Sequence, residues 1–317
     1  MGSARLTNAL TWLFSTLLVA APMPAQVLQG SKSETTSSLK PLCIEILGAS
    51  VSAGFVDSPM AGGSKDNAST PLVMPFRAWL DGSDVVVKSR ADTLMFLDSR
   101  AKGRLQVERA AKAEPDLVVA VDFLFWFGYG SWALADEAGD EELQARLGEL
   151  QLGLAMLDSL RCAIVLGDLP DMRGADRRML KPSQIPSVDC LQALNREVHA
   201  WAKDRPRVRV FPLARHVAEM RDQGVRLPLP DGELATKPGA LLQADRLHAT
   251  RLGVAYLTYL LEPQVRAALP EVRRSALPAA KFDNFCAYAG AEDELAILQA
   301  GSETEQKQEA PVKDSGR

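Results

Sequence analysis

Two short segments of the sequence contain residue types that could carry out nucleophilic catalysis. The first, Gly48 to Gly54, is a Gly/Ser loop that follows an apolar run and contains Ser50. The second begins at Asp245 and ends at His248, so a carboxylate precedes an imidazole by three residues. A serine hydroxyl becomes a nucleophile when a histidine takes its proton, and a carboxylate holds that histidine in the required tautomer. These side chains predict acyl transfer through Ser50, His248 and Asp245, provided that the fold brings them together.

Among the three histidines of the chain, His248 is the best candidate for the base. His199 falls within a predicted helix and His216 follows the fifth predicted strand, so both are expected to be structural or surface residues. His248 lies beyond that strand and directly before the last apolar helix pattern. In an α/β sheet, this position brings a base toward the loop after the first strand. A carboxylate three residues before a histidine is common by chance, so the spacing gains weight only together with Ser50.

Short apolar runs alternate with helical patterns along most of the chain, as expected for strands and helices that must position these residues. The five predicted strands are Cys43–Leu47, Val85–Val87, Leu117–Val121, Ala163–Leu166 and Val208–Phe211. The predicted helices are Pro75–Leu80, residues 98–112, a leucine-striped helix over Leu143–Leu157, Val188–Lys203 and Thr250–Leu261. Continuous apolar strands are typical of a sheet that is covered on both faces. The alternation therefore predicts an α/β fold with a parallel sheet between helices.

Composition and charge exclude several classes of protein. The chain has 317 residues, of which 47% are hydrophobic and 24% charged, as in a globular protein. Its 36 Lys and Arg residues nearly balance 40 Asp and Glu residues, and no basic cluster occurs, so we expect no nucleic-acid partner. No glycine-rich phosphate-binding motif is present, and no cofactor is indicated.

The four cysteines show no metal-binding pattern. None belongs to a C-x-x-C pair, and none has a histidine three to five residues away, so we expect no metal site. Cys43 and Cys162 lie in apolar runs, where a thiol behaves as a small hydrophobic group. Cys190 and Cys286 lie in more polar surroundings and could form a disulfide.

The N-terminal segment predicts export. Arg5 precedes an apolar run from Ala9 to Ala21, and small residues follow up to Ala25, as in a cleavable signal peptide. The run is shorter than the roughly 20 residues that span a bilayer, so we expect no membrane span. The mature protein would then be periplasmic or extracellular, where disulfides are permitted.

The Ser50 and His248 segments resemble two sequence blocks of the SGNH/GDSL hydrolase family. Gly48 to Gly54 is similar to the block G-D-S-x-S-x-G, with Ser50 at the nucleophile position, and Asp245-x-x-His248 is similar to the block D-x-x-H. Two further segments also resemble the family. Pro115–Val119 is similar to the lead-in to the strand before its G-x-N-D block, and Ile164–Pro170 is similar to its fourth strand and the turn that follows. The resemblance spans about residues 41–268. It implies a three-layer, flavodoxin-like fold with sheet order 2-1-3-4-5, and ester hydrolysis through an acyl-serine intermediate.

The sequence departs from the family pattern at three places. Ala49 stands where the family has Asp. After the second strand, the family has a glycine whose N–H binds the oxyanion, whereas this chain reads Ser89 to Asp92; the N–H of Ala91 is the candidate replacement beside that of Ser50. After the third strand, the segment that begins at Asp122 contains no asparagine. Losing one oxyanion donor typically reduces turnover about 10²–10³-fold, so the oxyanion hole is the doubtful part of the site.

Six aromatic residues cluster within ten positions of that third segment: Phe123, Phe125, Trp126, Phe127, Tyr129 and Trp132. The rings form either an apolar acyl or aryl pocket or the core beneath a helix, and both interpretations stay open. The candidate substrate-binding residues are Phe123, Phe125, Trp126 and Phe127. The carboxylate of Asp122 is either buried with a polar partner such as Arg90 or exposed in the loop.

The leading hypothesis is an exported serine esterase whose substrate is a lipid, an acylated sugar or a small ester. The alternative is a catalytically weak or inactive binding protein on the same scaffold, which uses the aromatic loop 123–132 for recognition. A nucleotide- or flavin-binding module is a weaker third option. The oligomeric state is not indicated by the sequence.

The expected organisation of the chain has five parts. These are a signal peptide at 1–25, a linker at 26–40, a hydrolase-like domain at 41–269, a C-terminal extension at 270–300 and a disordered tail at 301–317. Within the domain, the stretch from Phe55 to Thr70 is long for a bare loop and could act as a lid. It contains the glycosylation sequon Asn67-Ala68-Ser69.

Overall fold

Five parallel strands form the central sheet of the protein. The computed structural model describes residues 40–55, 70–130, 140–275 and 277–309. The strands are β1 (Leu42–Ile46), β2 (Val85–Ser89), β3 (Leu117–Ala120), β4 (Ala163–Gly167) and β5 (Val208–Phe211). Their order in the sheet is β2-β1-β3-β4-β5. The predicted α/β class and strand order are confirmed, and each predicted strand lies within two residues of its position in the structure.

Several predicted features fall outside the described residues. They are the signal peptide at 1–25, all but the last residue of the linker, residues 56–69 of the long loop with their sequon, Trp132, and residues 310–317 of the tail.

The strands nearest the centre of the sheet are buried along their length. β1 pairs with β2 from Leu42↔Val85 to Ile46↔Ser89, and its other edge pairs with β3. All five β1 residues are buried, including Glu45. The Glu45 carboxylate accepts two hydrogen bonds from the Arg90 guanidinium, at 2.8 and 3.1 Å. This paired geometry allows a charged residue in the middle of a buried strand.

Helices cover both faces of the sheet. One layer contains α3 (Ser99–Lys112), α5 (Asp140–Asp158) and α6 (Val188–Lys203), and the other contains α2 (Val73–Trp79), α8 (Arg251–Ala268) and α10 (Phe282–Ala289). Side-chain oxygens start three of these helices: Asp98 accepts from Ala101 N–H, Ser187 from Cys190 N–H, and Thr250 from Gly253 N–H. Such N-caps satisfy backbone donors that have no partner within the helix.

The C-terminal segment packs against the helices that cover one face of the sheet. In α10, Phe282 and Phe285 contact Tyr259 of α8 edge to face, and Phe285 also contacts Trp79 of α2. The following helix, α11, spans Glu292–Glu309. Residues 301–309, which fall in the tail predicted to be disordered, belong to this helix. Gln, Glu and Lys, which dominate this segment, are good helix formers.

Several short elements were not predicted. They are the helices α1 (Ser50–Ala53), α4 (Phe125–Tyr129), α7 (Leu213–Ala218) and α9 (Glu271–Arg274), and the antiparallel hairpin β6 (Arg226–Leu229) and β7 (Gly232–Ala235). The sequence does contain a signal for the hairpin, because the dipeptide Asp231-Gly232, where the turn enters β7, is typical of a tight turn.

All four cysteines are free thiols. The disulfide considered for Cys190 and Cys286 does not form, because Cys190 belongs to α6 and Cys286 to α10, in opposite helical layers. Burial raises the pKa of Cys162 to about 11 and that of Cys286 to about 12, so both stay protonated and unreactive at neutral pH.

Within the described ranges, no helix combines the length and apolar character required to cross a bilayer. The same residues contain no group of three or more His, Cys, Asp and Glu side chains arranged to hold a metal ion.

Candidate active site

The fold brings Ser50, His248 and Asp245 into one hydrogen-bonded chain. Ser50 Oγ lies 2.8 Å from His248 Nε2, and His248 Nδ1 lies 2.6 Å from Asp245 Oδ2. A carboxylate partner at Nδ1 keeps the proton on that nitrogen, which leaves the Nε2 lone pair directed at the serine hydroxyl. The geometry therefore suits removal of the Ser50 proton by His248.

The Asp245 carboxylate is built to remain charged. It is 1% exposed, and its Oδ1 atom accepts the backbone N–H groups of Leu247 at 2.9 Å and His248 at 3.0 Å. Burial alone would raise the pKa of Asp245, but the hydrogen bonds from the imidazole and from these two amides outweigh burial and lower it. Phe55 stacks on the His248 ring at a centroid distance of 4.2 Å, which shields one face of the base.

The loop that carries His248 is closed by its own backbone and by Gln243. Gln243 N–H donates to the His248 carbonyl at 2.8 Å, and its side-chain Nε2 donates to the Ala249 carbonyl at 2.9 Å. Gly253, five residues after His248, permits a close approach to this loop: a Cβ atom there would lie 2.2 Å from the Leu241 carbonyl oxygen. This contact gives a physical reason for a glycine at that spacing.

A buried glutamine holds the loop that carries Ser50. Ser50 is the first residue of α1, and three residues separate it from the carboxyl end of β1. Gln106 of α3 accepts the Gly48 N–H at 2.8 Å and donates its Nε2 to the Gly48 carbonyl at 3.0 Å. Gln106 is 3% exposed, so these two bonds fix the peptide groups of Gly48, two residues before Ser50. Sequence reasoning missed this residue, because a glutamine in a polar helix gives no signal of such a role.

A buried carboxylate, Asp122, holds the same loop from the other side. It follows β3 and accepts hydrogen bonds from Val51 N–H at 2.8 Å, Ser52 N–H at 3.3 Å and Ser52 Oγ at 2.5 Å. A Cβ atom at Gly48 would lie 2.0 Å from Asp122 Oδ1, so only glycine leaves room for this carboxylate. Burial raises the pKa of Asp122 against the opposing effect of hydrogen bonds from Ser52 and the loop amides.

The structure decides between the two environments expected for Asp122. The residue is buried, but its partners are the Ser50 loop and not Arg90, whose guanidinium binds Glu45. The role of Asp122 as an acceptor for two backbone amides could not be predicted, because no sequence pattern links residue 122 to Val51 and Ser52.

The candidate oxyanion donors differ in their availability. Ser50 N–H, as the first amide of α1, has no acceptor within its helix. Ala91 N–H donates to Ser89 Oγ at 3.3 Å, while the adjacent amides of Arg90 and Asp92 donate to backbone carbonyls at 2.8 and 3.0 Å. Ala91 would therefore have to exchange its Ser89 contact in order to bind an oxyanion.

The structure places the aromatic residues of this segment in two different environments. Phe125 and Trp126 line cavities next to Ser50. Phe127 is core: Cβ atoms at Gly103 of α3 and Gly153 of α5 would lie 2.9 and 2.8 Å from its ring. Phe123 is fully buried and tilts against the Phe127 ring at 5.5 Å. Phe123 and Phe127, which were candidate substrate-binding residues, therefore lie in the core, where the small residues Gly103 and Gly153 leave room for the Phe127 ring.

Two cavities meet at Ser50. The inner cavity has a volume of about 30 Å³, and its lining includes Ser50, Asp122, Phe125, Val217, Met220 and Leu257. The outer cavity has a volume of about 160 Å³, and its lining includes Ser50, Phe55, Phe96, Trp126, Met179 and His248. Trp126 is buried in the wall of the outer cavity, and its indole N–H has no acceptor among the described residues.

No family model matches the chain, and no curated protein matches it. Among solved structures, the chain is similar to a GDSL-like lipase from Bacteroides thetaiotaomicron, with 14% identity, a TM-score of 0.43, and coverage of 73% of this chain and 90% of that chain. It is also similar to TesA, with 16% identity, a TM-score of 0.41, and coverage of 72% and 99%. A third similar structure is the psychrotrophic esterase EstA from Pseudoalteromonas sp., with 13% identity, a TM-score of 0.40, and coverage of 71% and 97%. At such identities, the function has to be argued from the geometry of the site itself.

Proposed function

We propose that the protein is a serine hydrolase that cleaves an acyl ester, with Ser50 as nucleophile, His248 as general base and acid, and Asp245 as the group that orients His248. The observation that carries this proposal is the continuous path from the Ser50 hydroxyl through the imidazole to a buried carboxylate, with contacts of 2.8 and 2.6 Å. A lipid, an acylated sugar and a small ester all contain the bond that this chemistry breaks.

The reaction proceeds in two halves. His248 Nε2 takes the Ser50 proton as Oγ forms a bond to the ester carbonyl carbon, and the resulting imidazolium is stabilised by the Asp245 carboxylate. The carbon–oxygen bond to the alcohol then breaks, and Nε2 returns the proton to the departing oxygen. In the second half, water attacks the acyl-Ser50 carbonyl by the same route, which releases the carboxylic acid and restores the serine.

The oxyanion of each tetrahedral intermediate requires hydrogen-bond donors. Ser50 N–H supplies the first. The Ala91 N–H supplies the second after it leaves the Ser89 hydroxyl, a weak contact at 3.3 Å. Because the Ala91 N–H must first break its bond to Ser89, it stabilises the oxyanion less than a donor without a prior partner would. We therefore expect slow turnover.

A binding protein on the same scaffold is the second candidate. Two observations favour it: Ala91 N–H is already engaged, and the wall beside Ser50 carries the Asp122 carboxylate, which repels a developing oxyanion when ionised. Under this alternative, Phe125 and Trp126 bind a ligand that Ser50 does not attack.

A fluorophosphonate probe separates the two candidates. Under the hydrolase proposal the probe labels the wild type, and Ser50→Ala and His248→Ala abolish both labelling and ester turnover. Ser159→Ala and His199→Ala are matched controls. Ser159 is an exposed serine, and His199 is an exposed histidine whose Nε2 lies 3.4 Å from an Asp168 carboxylate oxygen, outside the Ser50–His248–Asp245 hydrogen-bonded chain. Folded wild-type protein that neither labels nor hydrolyses esters would favour the binding protein.

We also propose that the protein is exported after cleavage near Ala25. The support is the N-terminal pattern of one positive charge, a short apolar run and small residues. N-terminal sequencing of the protein secreted by an expressing cell tests this proposal. A mature chain that still begins at Met1 would contradict it.

A further inference from the structure

The helix that carries Ser50 has no N-terminal cap within its own sequence. α1 is four residues long, and its N-cap residue, Ala49, makes no side-chain hydrogen bond to the first amides. These amides need an acceptor from elsewhere, because no carbonyl group of the same helix can reach them. Asp122, which follows β3, is that acceptor: its Oδ2 atom accepts Val51 N–H at 2.8 Å and Ser52 N–H at 3.3 Å. The start of α1 is therefore capped by a side chain from another strand.

The third contact of Asp122 is with the Ser52 side chain, whose Oγ lies 2.5 Å from Asp122 Oδ1. A serine beside a carboxylate could itself be a nucleophile with its base, but Ser52 is fully buried, so no substrate carbonyl can reach it. The inner cavity that separates Asp122 from Ser50 has a volume of about 30 Å³, which holds about two water molecules and no substrate. Asp122 therefore acts on the reaction through the position of α1.

The two ends of the Ser50 loop are held by different groups. Before Ser50, the Gly48 peptide groups bind Gln106, and the Gly48 carbonyl also accepts Asp92 N–H at 3.0 Å. After Ser50, the side chain that holds the loop is Asp122. A helix as short as α1 does not keep its direction without such support. A tilt of α1 would carry the Ser50 hydroxyl away from the base.

We propose that Asp122 is a positioning residue: by capping α1 from the end of β3, it holds Ser50 Oγ at the 2.8 Å hydrogen-bonding distance from His248 Nε2. The effect on catalysis rests on the proposed function, whereas the effect on the Ser50–His248 contact does not. Asp122 acts through its hydrogen-bond acceptors, and its negative charge is not required.

Two substitutions of Asp122 separate hydrogen bonding from charge. Asp122→Ala removes all three contacts, and we expect kcat to fall about 10²-fold with little change in KM, the loss associated with a misplacement of about 1 Å. In Asp122→Asn, the amide oxygen can accept the Val51 and Ser52 amides while the NH₂ group donates to Ser52 Oγ, because a hydroxyl both donates and accepts. Asp122→Asn should therefore restore most of the lost kcat.

Asp168→Ala is the matched control. Asp168 follows β4 as Asp122 follows β3, is also buried, and accepts Ala214 N–H at 2.7 Å near the start of the short helix α7. Because α7 carries none of the three candidate catalytic residues, the control should lose stability and keep its kcat. A folded Asp122→Ala enzyme with the wild-type kcat would overturn the proposal, as would equal losses in the two alanine variants or an Asp122→Asn enzyme as slow as Asp122→Ala.

If Asp122→Ala does not fold, Ser52→Ala removes only the contact between the two side chains. This variant should lower kcat by a smaller factor, again with little change in KM. An unchanged kcat in folded Ser52→Ala would then count against the proposal.

A measurement on the protein without substrate separates this proposal from the hydrolase proposal. In ¹⁵N NMR, the chemical shift of His248 Nε2 reports whether the Ser50 hydroxyl donates to it, and Ser50→Ala gives the shift without that bond. Asp122→Ala should show the Ser50→Ala shift, whereas Asp122→Asn and Asp168→Ala should keep the wild-type shift.

The two proposals can fail independently. If the wild type hydrolyses no ester but the expected shifts are found, the hydrolase proposal fails and the positioning role of Asp122 stands. If esters are hydrolysed and neither kcat nor the His248 shift responds to Asp122→Ala, the hydrolase stands and the positioning role fails.

Discussion

Replacing Asp245 by asparagine tests the role of the carboxylate with almost no change in shape. In the wild type, Oδ1 accepts two backbone N–H groups, from Leu247 and His248, and Oδ2 accepts the imidazole Nδ1–H. The amide oxygen of asparagine must face the two N–H groups, because the reverse orientation would leave both donors without an acceptor at about 1–3 kcal/mol each. The amide NH₂ group then faces His248 Nδ1.

An NH₂ group at this position reverses the tautomer of His248. Nδ1 becomes the acceptor, so the ring proton moves to Nε2, the atom that must accept the Ser50 proton. We expect Asp245→Asn to lower kcat by about 10⁴-fold with little change in KM, the effect typical of a triad with the wrong tautomer. In free energy of activation this loss is about 5 kcal/mol.

Steady-state kinetics with a good ester substrate, together with the rate of fluorophosphonate labelling, measures this effect. Asp168→Asn is the matched control, since Asp168 lies 3.4 Å from His199 and also accepts a backbone N–H, from Ala214 at 2.7 Å. The control should retain its activity. A folded Asp245→Asn enzyme within ten-fold of the wild-type kcat would refute the assigned orientation of the imidazole.

Asp245→Asn also changes how stability depends on pH. The pKa of Asp245 is lower in the folded protein than its ordinary value, so the stability it contributes is present above the ordinary aspartate range. That contribution is lost as the pH falls through the folded-state pKa. The difference in melting temperature between wild type and variant should therefore shrink in acid, and a difference that grows would contradict the lowered pKa.

Three further substitutions probe stability. Asp122→Ala leaves two loop amides and the Ser52 hydroxyl without their acceptor, so chemical denaturation should show a loss of at least about 2 kcal/mol; an unchanged midpoint would contradict this role. Arg90→Ala should cost more than Glu45→Ala in the same assay, because Glu45 is fully buried whereas the Arg90 side chain is 27% exposed and can turn to water; equal losses would argue against this asymmetry. Burial lowers the pKa of His216, so the wild type should lose stability as the pH falls below the ordinary histidine range, and melting curves of His216→Asn should lack this dependence.

The sequence predicted the sheet well because buried parallel strands are continuous apolar runs. Val208–Phe211 and the helix Val188–Lys203 coincide with the structure at both ends. Even β1 was recognised despite Glu45, although its partner Arg90 could not be foreseen, because the pairing depends on how β2 lies beside β1. The strand order itself came from the family resemblance and not from the apolar pattern.

Residues of the site could be predicted only where they lie close together in the sequence or belong to residue types that are typical of nucleophilic catalysis. Ser50, Asp245 and His248 carry such a pattern, and the structure brings them together. Gln106 and Asp122 carry none, since the contacts that define their roles span 58 and about 70 residues. Their importance arises from burial, which the sequence does not reveal for a polar side chain in a polar helix or a loop.

Two departures from the family pattern, Ala49 and Asp122, are related in the structure. Ala49 is 1% exposed, and its backbone N–H acts against the effect of burial to lower the pKa of Asp122. An aspartate at position 49 would bring a second carboxylate into this buried region, where two like charges strongly disfavour each other. The uncharged side chain at position 49 and the carboxylate at position 122 are therefore compatible, because only one acidic side chain is then buried beside the Ser50 loop.

A double-mutant cycle tests this relation. Ala49→Asp alone should destabilise the protein, and Asp122→Asn should recover part of that loss when combined with it, because the neutral amide removes the repulsion. We expect a coupling free energy of about 1–3 kcal/mol from chemical denaturation, the range found for side chains in direct contact. Ala49→Ser is the control, because it increases the side-chain volume at position 49 without adding a charge. Its effect on the free energy of unfolding should add to that of Asp122→Asn. Simple additivity for Ala49→Asp as well would show that the two positions do not share the buried region around the Ser50 loop.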